Sequence, residues 1–88
     1  MKVAFTNDFD KVAGKIKDKK LAADLLNTID NVRLAKNIFQ IANLKKLKGY
    51  SNAFRIRMGN YRVGVFIETD TVEFAAFSHR KDIYNLFP

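Results

Sequence analysis

The chain has 88 residues, of which 48% are hydrophobic, with no cysteine, one histidine and a net charge of +7 from 16 Lys and Arg against 9 Asp and Glu. This composition predicts one folded domain over residues 1–88 and argues against disorder, disulfides, a cysteine nucleophile and a zinc site. With no run of about 20 apolar residues and no apolar signal-peptide core, a cytoplasmic protein is expected. The positive charge favours an anionic partner: nucleic acid, an acidic protein or a membrane surface.

The first third of the chain predicts one strand followed by two helices. Lys2 to Thr6 alternates weakly, as a strand does, and Asn7 or Asp8 can cap the helix that follows. Apolar residues recur at helical spacing from Phe9 to Ile16, and the charged break Lys17 to Lys20 then separates a second helix.

The second helix is predicted to continue to about Ala42 or Asn43. One stripe of it carries Leu21, Leu25, Ile29, Val32 and Phe39. The segment Leu44 to Gly49 then follows as a connector, either a short extra turn of helix or an irregular loop.

After Gly49 the apolar residues alternate with a period of two, which predicts three strands. We place them at about Ala53–Met58, Tyr61–Glu68 and Thr71–Ser78. Gly59-Asn60 is a two-residue hairpin turn signal, and Thr69-Asp70 is a weaker one.

The first of these turns sets two arginines opposite each other. Met58 would lie opposite Tyr61, and Arg57 opposite Arg62. Like charges directly opposite each other destabilise a sheet. The pair therefore favours a role in holding an anion.

Continuing the register through the second turn assigns each strand residue to a face of the sheet. The face toward the helices would carry Val63, Val65, Ile67, Val72, Phe74 and Ala76. The other face would carry Arg55, Arg57, Arg62, Gly64, Phe66, Glu73, Ala75 and Phe77, continued by His79. In this register Arg62 lies opposite Phe77, and Arg80 emerges near the Gly59-Asn60 turn. The tail, Lys81 to Pro88, is predicted to form one helical turn or a docked loop.

Arginines interleaved with aromatic rings on an open sheet suit single-stranded RNA. Guanidinium groups bind phosphate oxygens bidentately, and the rings of Phe66 and Phe77 offer faces on which bases stack. RNA cleavage by its own 2′-hydroxyl needs the phosphate fixed in line, its charge neutralised and a proton moved. The arginines serve the first two needs, and Tyr84 or His79 the third. Ser78 and His79 point to opposite faces of a strand, which argues against a Ser-His-Asp arrangement.

Two segments, Leu47 to Val63 and Ser78 to Tyr84, resemble the RelE/ParE toxin superfamily, and the order of strand, two helices and three strands matches it as well. The resemblance covers nearly the whole chain. The expected fold is α+β, with two helices packed on one face of a small, mainly antiparallel sheet. The resemblance implies the toxin of a type II toxin–antitoxin pair, neutralised by an acidic antitoxin. RelE-type members cut mRNA in the ribosomal A site without a metal, so no cofactor is expected.

The resemblance also implies roles for individual residues. Arg57, Arg62 and Arg80 would bind the phosphate and stabilise the transition state, assisted by Arg55. Tyr84 would be the general base or an acid–base group. The family often has lysines at the positions of Arg55 and Arg57, so this chain lacks a group there that titrates near neutral pH. The other candidates for RNA contact are Phe77, His79 and Lys81.

Two other functions are compatible with the superfamily. A ParE-like member would poison DNA gyrase and cut no RNA, although the presence of both Arg80 and Tyr84 argues against this. A third possibility is a non-catalytic basic module that binds RNA or a partner. The protein would be a monomeric toxin or part of a toxin–antitoxin hetero-oligomer.

Overall fold

A computed structural model describes all of residues 1–88 and confirms the α+β fold. The elements are β1 Lys2–Phe5, α1 Asn7–Gly14, α2 Lys19–Leu34, β2 Leu44–Lys46, β3 Ala53–Met58, β4 Tyr61–Glu68, β5 Thr71–His79 and α3 Ile83–Leu86. The five strands form one sheet in the order β1-β5-β4-β3-β2, in which β1 runs parallel to β5 and the other neighbours are antiparallel. No helix is both long enough and apolar enough to cross a membrane.

The two long helices begin at side-chain caps. The Thr6 hydroxyl accepts a hydrogen bond from the Phe9 amide at 3.1 Å, so Thr6 caps α1 in place of the predicted Asn7 or Asp8. Asp18 caps α2 by accepting from the amides of Lys20 and Leu21. Each cap satisfies amides that have no partner inside the helix.

The predicted continuation of α2 to Ala42 or Asn43 is wrong, because the helix ends at Leu34. Two side chains capture the backbone amides that follow: Gln40 accepts from Lys36, and Asn37 accepts from Phe39. Such local hydrogen bonds compete with helix formation. One turn of 3₁₀ helix forms here instead, and Phe39, predicted to lie in the core stripe, is 92% exposed.

The segment predicted as a connector contains an edge strand. β2 pairs with β3, placing Leu44 opposite Ile56, Lys45 opposite Arg55 and Lys46 opposite Phe54. The open edge of β3 supplies the backbone partners that favour a strand over a turn of helix. The sheet therefore extends one strand further than the sequence pattern predicted.

The three predicted strands of the second half are confirmed, and so is the first hairpin. Met58 lies opposite Tyr61 and Arg57 opposite Arg62. Gly59 has φ +61°, the left-handed conformation that a tight hairpin turn requires.

The predicted register of β4 with β5 holds near their turn and is wrong beyond Val65. A β-bulge between Gly64 and Val65 sets Phe74 opposite Val65 but Ala76 opposite Gly64, so that Ala75 is the extra residue. One inserted residue sends every later side chain to the opposite face. Arg62 consequently lies opposite Ser78, not Phe77, and Tyr61 lies opposite His79.

The main core lies between the helices and one face of the sheet. It includes Phe9, Leu25, Ile29, Val32, Val63, Val65, Phe74 and Phe77. A second, smaller core lies on the other face, where the tail folds back over the sheet. Ile83 and Phe87 are buried there against Ala53, and the Phe87 ring lies 4.9 Å from that of Phe66.

Gly64 makes this docking of the tail possible. A Cβ at position 64 would lie 2.5 Å from the nearest ring carbon of Phe87, well inside van der Waals contact. The missing side chain thus leaves the space that the Phe87 ring occupies. The tail, with its one turn of helix, is held on the face that carries the arginines.

Candidate functional site

Four arginines, Arg55, Arg57, Arg62 and Arg80, form a group that we term the arginine cluster. Strand pairing places Arg57 opposite Arg62 beside the Gly59-Asn60 turn. The backbone amide of Arg80 donates to the carbonyl oxygen of Asn60 at 2.8 Å, which brings Arg80 to the same turn, as predicted.

The Arg62 side chain is oriented by its own turn. Its guanidinium donates to the carbonyl oxygens of Gly59 at 2.8 Å and Tyr61 at 2.9 Å. Partial burial and the charge of Arg55 lower the pKa of Arg62, with smaller contributions from Arg57 and Arg80, whereas Tyr84 opposes the shift. All these groups therefore lie within electrostatic reach of Arg62.

Arg55 is half-buried and only partly satisfied. Its Nη1 donates to the carbonyl oxygen of Asn43 at 3.0 Å, whereas its Nε is buried without a hydrogen-bond partner. A buried donor without a partner costs about 1–3 kcal/mol. An acceptor such as a phosphate oxygen would remove that cost.

No carboxylate neutralises the arginine cluster. The ion pairs in the structure are Lys2–Asp70, Lys20–Asp24 and Arg33–Asp30. Positive charges held together without a counter-ion raise the local concentration of anions. The arrangement is suited to binding a phosphate group.

Tyr84 lies on α3, between the two buried anchors of the tail. Ile83 and Phe87 fix the helical turn to the sheet, and the Tyr84 side chain remains 60% exposed. Because Phe87 packs over Gly64 of β4, the folded tail holds Tyr84 near Arg62, and Tyr84 accordingly raises the pKa of Arg62 against the other contributions.

Phe77 and His79 do not lie on the arginine-bearing face. Because of the bulge, Phe77 points into the main core, is 7% exposed and stacks on Tyr61 with ring centroids 5.2 Å apart. A buried ring offers no face to a base, so its predicted stacking role is wrong. His79 packs edge-on against Tyr61, and its Nδ1 accepts from the Lys81 amide at 3.2 Å. Lys81 itself is exposed in the turn after β5.

The sequence patterns missed a groove beside this site. Three lysines and a tyrosine line a cavity of about 520 Å³ together with Tyr84. We term it the lysine groove, and its lining residues are Lys45, Lys46, Leu47, Lys48, Tyr50, Tyr84, Phe87 and Pro88. The run of lysines after Leu44 is the signal for this groove in the sequence, although its pattern predicts only a connector.

A second cavity, of about 690 Å³, is lined by Phe66, Glu68 and Glu73, at the end of β4 opposite to Arg62. Its charged lining residues are Glu68, Asp70 and Glu73, and we term it the carboxylate cavity. Despite these carboxylates, the chain has no cluster of three or more His, Cys, Asp or Glu side chains arranged to hold a metal ion.

Proteins similar to this chain include a toxin and an antitoxin–toxin complex. No protein-family model matches the sequence. Toxin RelE3 of Methanocaldococcus jannaschii is 38% identical over an alignment of 96 positions, which covers 100% of this chain and 100% of that protein. The RelB–RelE antitoxin–toxin complex from Methanococcus jannaschii matches with a TM-score of 0.66 at 32% identity, covering 97% of this chain and 99% of that one.

A third match concerns the fold alone. The archaeal RelE–RelB complex from Pyrococcus horikoshii OT3 has a TM-score of 0.73 at 17% identity, covering 93% of this chain and 97% of that one. The α+β fold is therefore shared with that protein at low sequence identity.

Proposed function

The chain belongs to the RelE family of toxins, and we propose that it inhibits translation by cutting mRNA in the ribosomal A site without a metal ion. The observation that carries the proposal is the arginine cluster, which has no carboxylate partner and has Tyr84 within its field. Guanidinium groups are suited to phosphate because they stay charged and donate several hydrogen bonds.

In the proposed reaction, the 2′-hydroxyl oxygen of the RNA attacks the adjacent phosphorus, and the bond from phosphorus to the 5′-oxygen breaks. Tyr84, as its phenolate, takes the proton of the 2′-hydroxyl and becomes the neutral phenol, and the leaving 5′-oxygen takes a proton from solvent. The products are a 2′,3′-cyclic phosphate and a 5′-hydroxyl. This single step needs no oxidant or second substrate.

The arginines have separate parts in this reaction. Arg57 and Arg62, opposite each other across the hairpin, bind the non-bridging phosphate oxygens, and Arg80 approaches from the end of β5. Arg55 contributes charge from the same strand as Arg57. Donors fixed before the reaction stabilise the developing charge without reorganising, and losing one costs about 10²–10³ in rate.

We assign no catalytic step to Lys81 or His79. Lys81 is exposed next to Arg80 and adds charge for RNA contact. His79 packs against Tyr61 on the other face, which favours Tyr84 over His79 as the group that moves the proton.

The experiment that tests this function is a translation reaction with programmed ribosomes, in which A-site cleavage is followed by primer extension. Arg62→Ala and Tyr84→Phe are expected to lose cleavage, with Glu73→Gln in the carboxylate cavity as the matched control. Wild-type cleavage by both variants would contradict the site. An SOS response with intact mRNA after induced expression would instead indicate gyrase poisoning.

The proposed partners are the ribosome with its mRNA, in the cytoplasm, and a cognate acidic antitoxin. Two of the solved structures similar to this chain are complexes of RelE with RelB. Large apolar side chains exposed on this chain, such as Leu26, Leu34 and Phe39, offer area to a partner segment that folds on binding. Co-expression with a small acidic reading frame beside the gene should restore growth. Continued toxicity would argue against that partner.

A further inference from the structure

We propose that the lysine groove holds an unpaired RNA base next to the scissile phosphate, with the Tyr50 ring stacked on that base. The inference rests on the proposed function, because it assigns a nucleotide subsite to the same reaction. It concerns residues outside the arginine cluster, and it would make Tyr50 a determinant of how RNA is positioned.

The groove has the size and the surfaces for such a ligand. Its volume of about 520 Å³ lies within the usual range of about 300–1,000 Å³ for small-molecule sites. Tyr50 and Tyr84 both line it, and they are 50% and 60% exposed. Large aromatic side chains left this open have faces free for stacking.

The charge of the groove selects an anion. Lys45, Lys46 and Lys48 line it, and no acidic side chain does. None of the three lysines forms an ion pair in the structure. Aromatic rings between unpaired cationic side chains are the combination that binds single-stranded nucleic acid, since the rings stack on bases and the charges follow the backbone.

The backbone fixes Tyr50 in the wall of the groove. Leu47 donates its amide to the Ala53 carbonyl at 2.8 Å, and the Tyr50 amide donates back to the Leu47 carbonyl at 3.3 Å. Gly49 lies between them with φ +88°, the value that the third residue of a type II turn requires. The turn therefore presents Tyr50 from a defined backbone position beside the end of β2.

The groove leads directly to the arginine cluster. Lys45 lies opposite Arg55 on the paired strands, so Lys45 continues the row of positive charge from β3 to β2. Tyr84 lines the groove and also influences the pKa of Arg62. A nucleotide in the groove would thus lie next to the phosphate bound by the arginines.

The test compares Tyr50→Ala with Tyr50→Phe, which keeps the ring and removes only the hydroxyl. In A-site cleavage, Tyr50→Ala should lower kcat/KM about 5- to 150-fold, the range expected for one base–aromatic stack, mainly through a higher KM. Tyr50→Phe should remain close to wild type. Because Tyr50 is exposed, the thermal unfolding of Tyr50→Ala should match that of wild type. An unchanged unfolding temperature would show that the loss of cleavage does not come from a loss of fold.

A second measurement uses a short single-stranded RNA with 2′-O-methyl groups, which cannot be cut, and one 5-iodouridine. Fluorescence anisotropy reports its affinity, and photo-crosslinking followed by mass spectrometry identifies the residue against the base. A crosslink at Tyr50 and weaker binding by Tyr50→Ala would support the subsite. Polyglutamate serves as an anionic competitor for the lysines of the groove. Crosslinks only at other residues, or RNA that stays bound when polyglutamate is added, would overturn the subsite.

The two measurements separate this inference from the proposed function. If wild type cuts mRNA but Tyr50→Ala cuts equally well, the subsite is wrong and the function stands. If wild type does not cut but Tyr50 crosslinks and Tyr50→Ala loses affinity, the proposed function fails and the RNA site stands. Failure of both measurements would overturn both.

Discussion

The two large cavities have linings of opposite charge, and the lysine groove continues the positive charge of the arginine cluster. The lysine groove is lined by three lysines and no carboxylate, whereas the carboxylate cavity is lined by Glu68, Asp70 and Glu73 and no cationic side chain. From Arg62 of the arginine cluster to Glu68 of the carboxylate cavity, β4 advances six residues, about 20 Å at the usual rise. Physiological salt screens charges over about 8 Å, so the arginine cluster and the carboxylate cavity act independently.

This separation shows what a net charge of +7 leaves out. The excess charge is not spread evenly over the surface, since one end of the face would attract a phosphate and the other would repel it. A strand of RNA is therefore expected to approach from the arginine end alone. The following changes test that asymmetry.

The largest expected effect concerns the bulge that shapes the arginine end. Phe77→Ala should lower the free energy of unfolding by about 3–5 kcal/mol, because it removes a buried ring from the main core. Chemical denaturation would measure this loss. Phe77→Leu, which keeps most of the volume, should fold and cut RNA. Lost cleavage with intact stability would mean that the ring contacts RNA after all.

The next substitution should lower activity and raise stability. Arg57→Thr should reduce A-site cleavage about 10²–10³-fold, as expected for the loss of one transition-state donor. It should also raise the free energy of unfolding by roughly 0.2–1 kcal/mol, because it removes a like-charge pair and threonine suits a strand. Single-turnover cleavage and urea unfolding measure the two quantities. A large loss of stability would show that Arg57 has a structural role.

A smaller effect tests the docking of the tail across the face. Gly64→Ala should destabilise the fold by about 1–3 kcal/mol, because the new Cβ meets the Phe87 ring. It should also weaken cleavage, since Tyr84 moves with the tail. Adding Phe87→Ala should make Gly64→Ala nearly neutral in a double-mutant cycle. Gly14→Ala, where a Cβ meets nothing within 4 Å, is the control and should not destabilise.

The smallest effect belongs to the carboxylate cavity. Glu68→Gln and Glu73→Gln should leave cleavage within about twofold of wild type, because screening over this distance leaves little interaction. RNA affinity at several salt concentrations should keep its slope. Lys45→Ala in the lysine groove, whose side chain shares the face of Arg55, should instead reduce that slope by about 0.7, the value for one lost phosphate contact. Equal changes at both ends would contradict the asymmetry.

The sequence predicted the part of the site that local rules determine. A two-residue turn fixes the register of the residues nearest to it, so the Arg57–Arg62 pair was predicted correctly. The bulge could not be found by alternation, because Ala75 and Ala76 are identical and either fits either face. One signal was present: Phe74 and Phe77 are both large and apolar, yet three residues apart, which a regular strand cannot bury on one face.

The remaining misses come from competition between local and distant partners. Helical spacing extends past Leu34 in the sequence, but the side chains of Asn37 and Gln40 bind the backbone and end the helix. The lysines after Leu44 carry no strand pattern of their own, and pairing with β3 makes them a strand. The lysine groove, which depends on that pairing and on the folded tail, was therefore invisible to a linear pattern.

The close approach of Phe87 to Gly64 has a consequence for how this chain can vary over evolutionary time. A side chain gained at position 64 removes the space for the ring, and a smaller residue at position 87 opens a gap over the glycine. Neither change is neutral alone, because each alters the segment that carries Tyr84. The two positions should therefore covary among homologues, even though they lie 23 positions apart in the sequence.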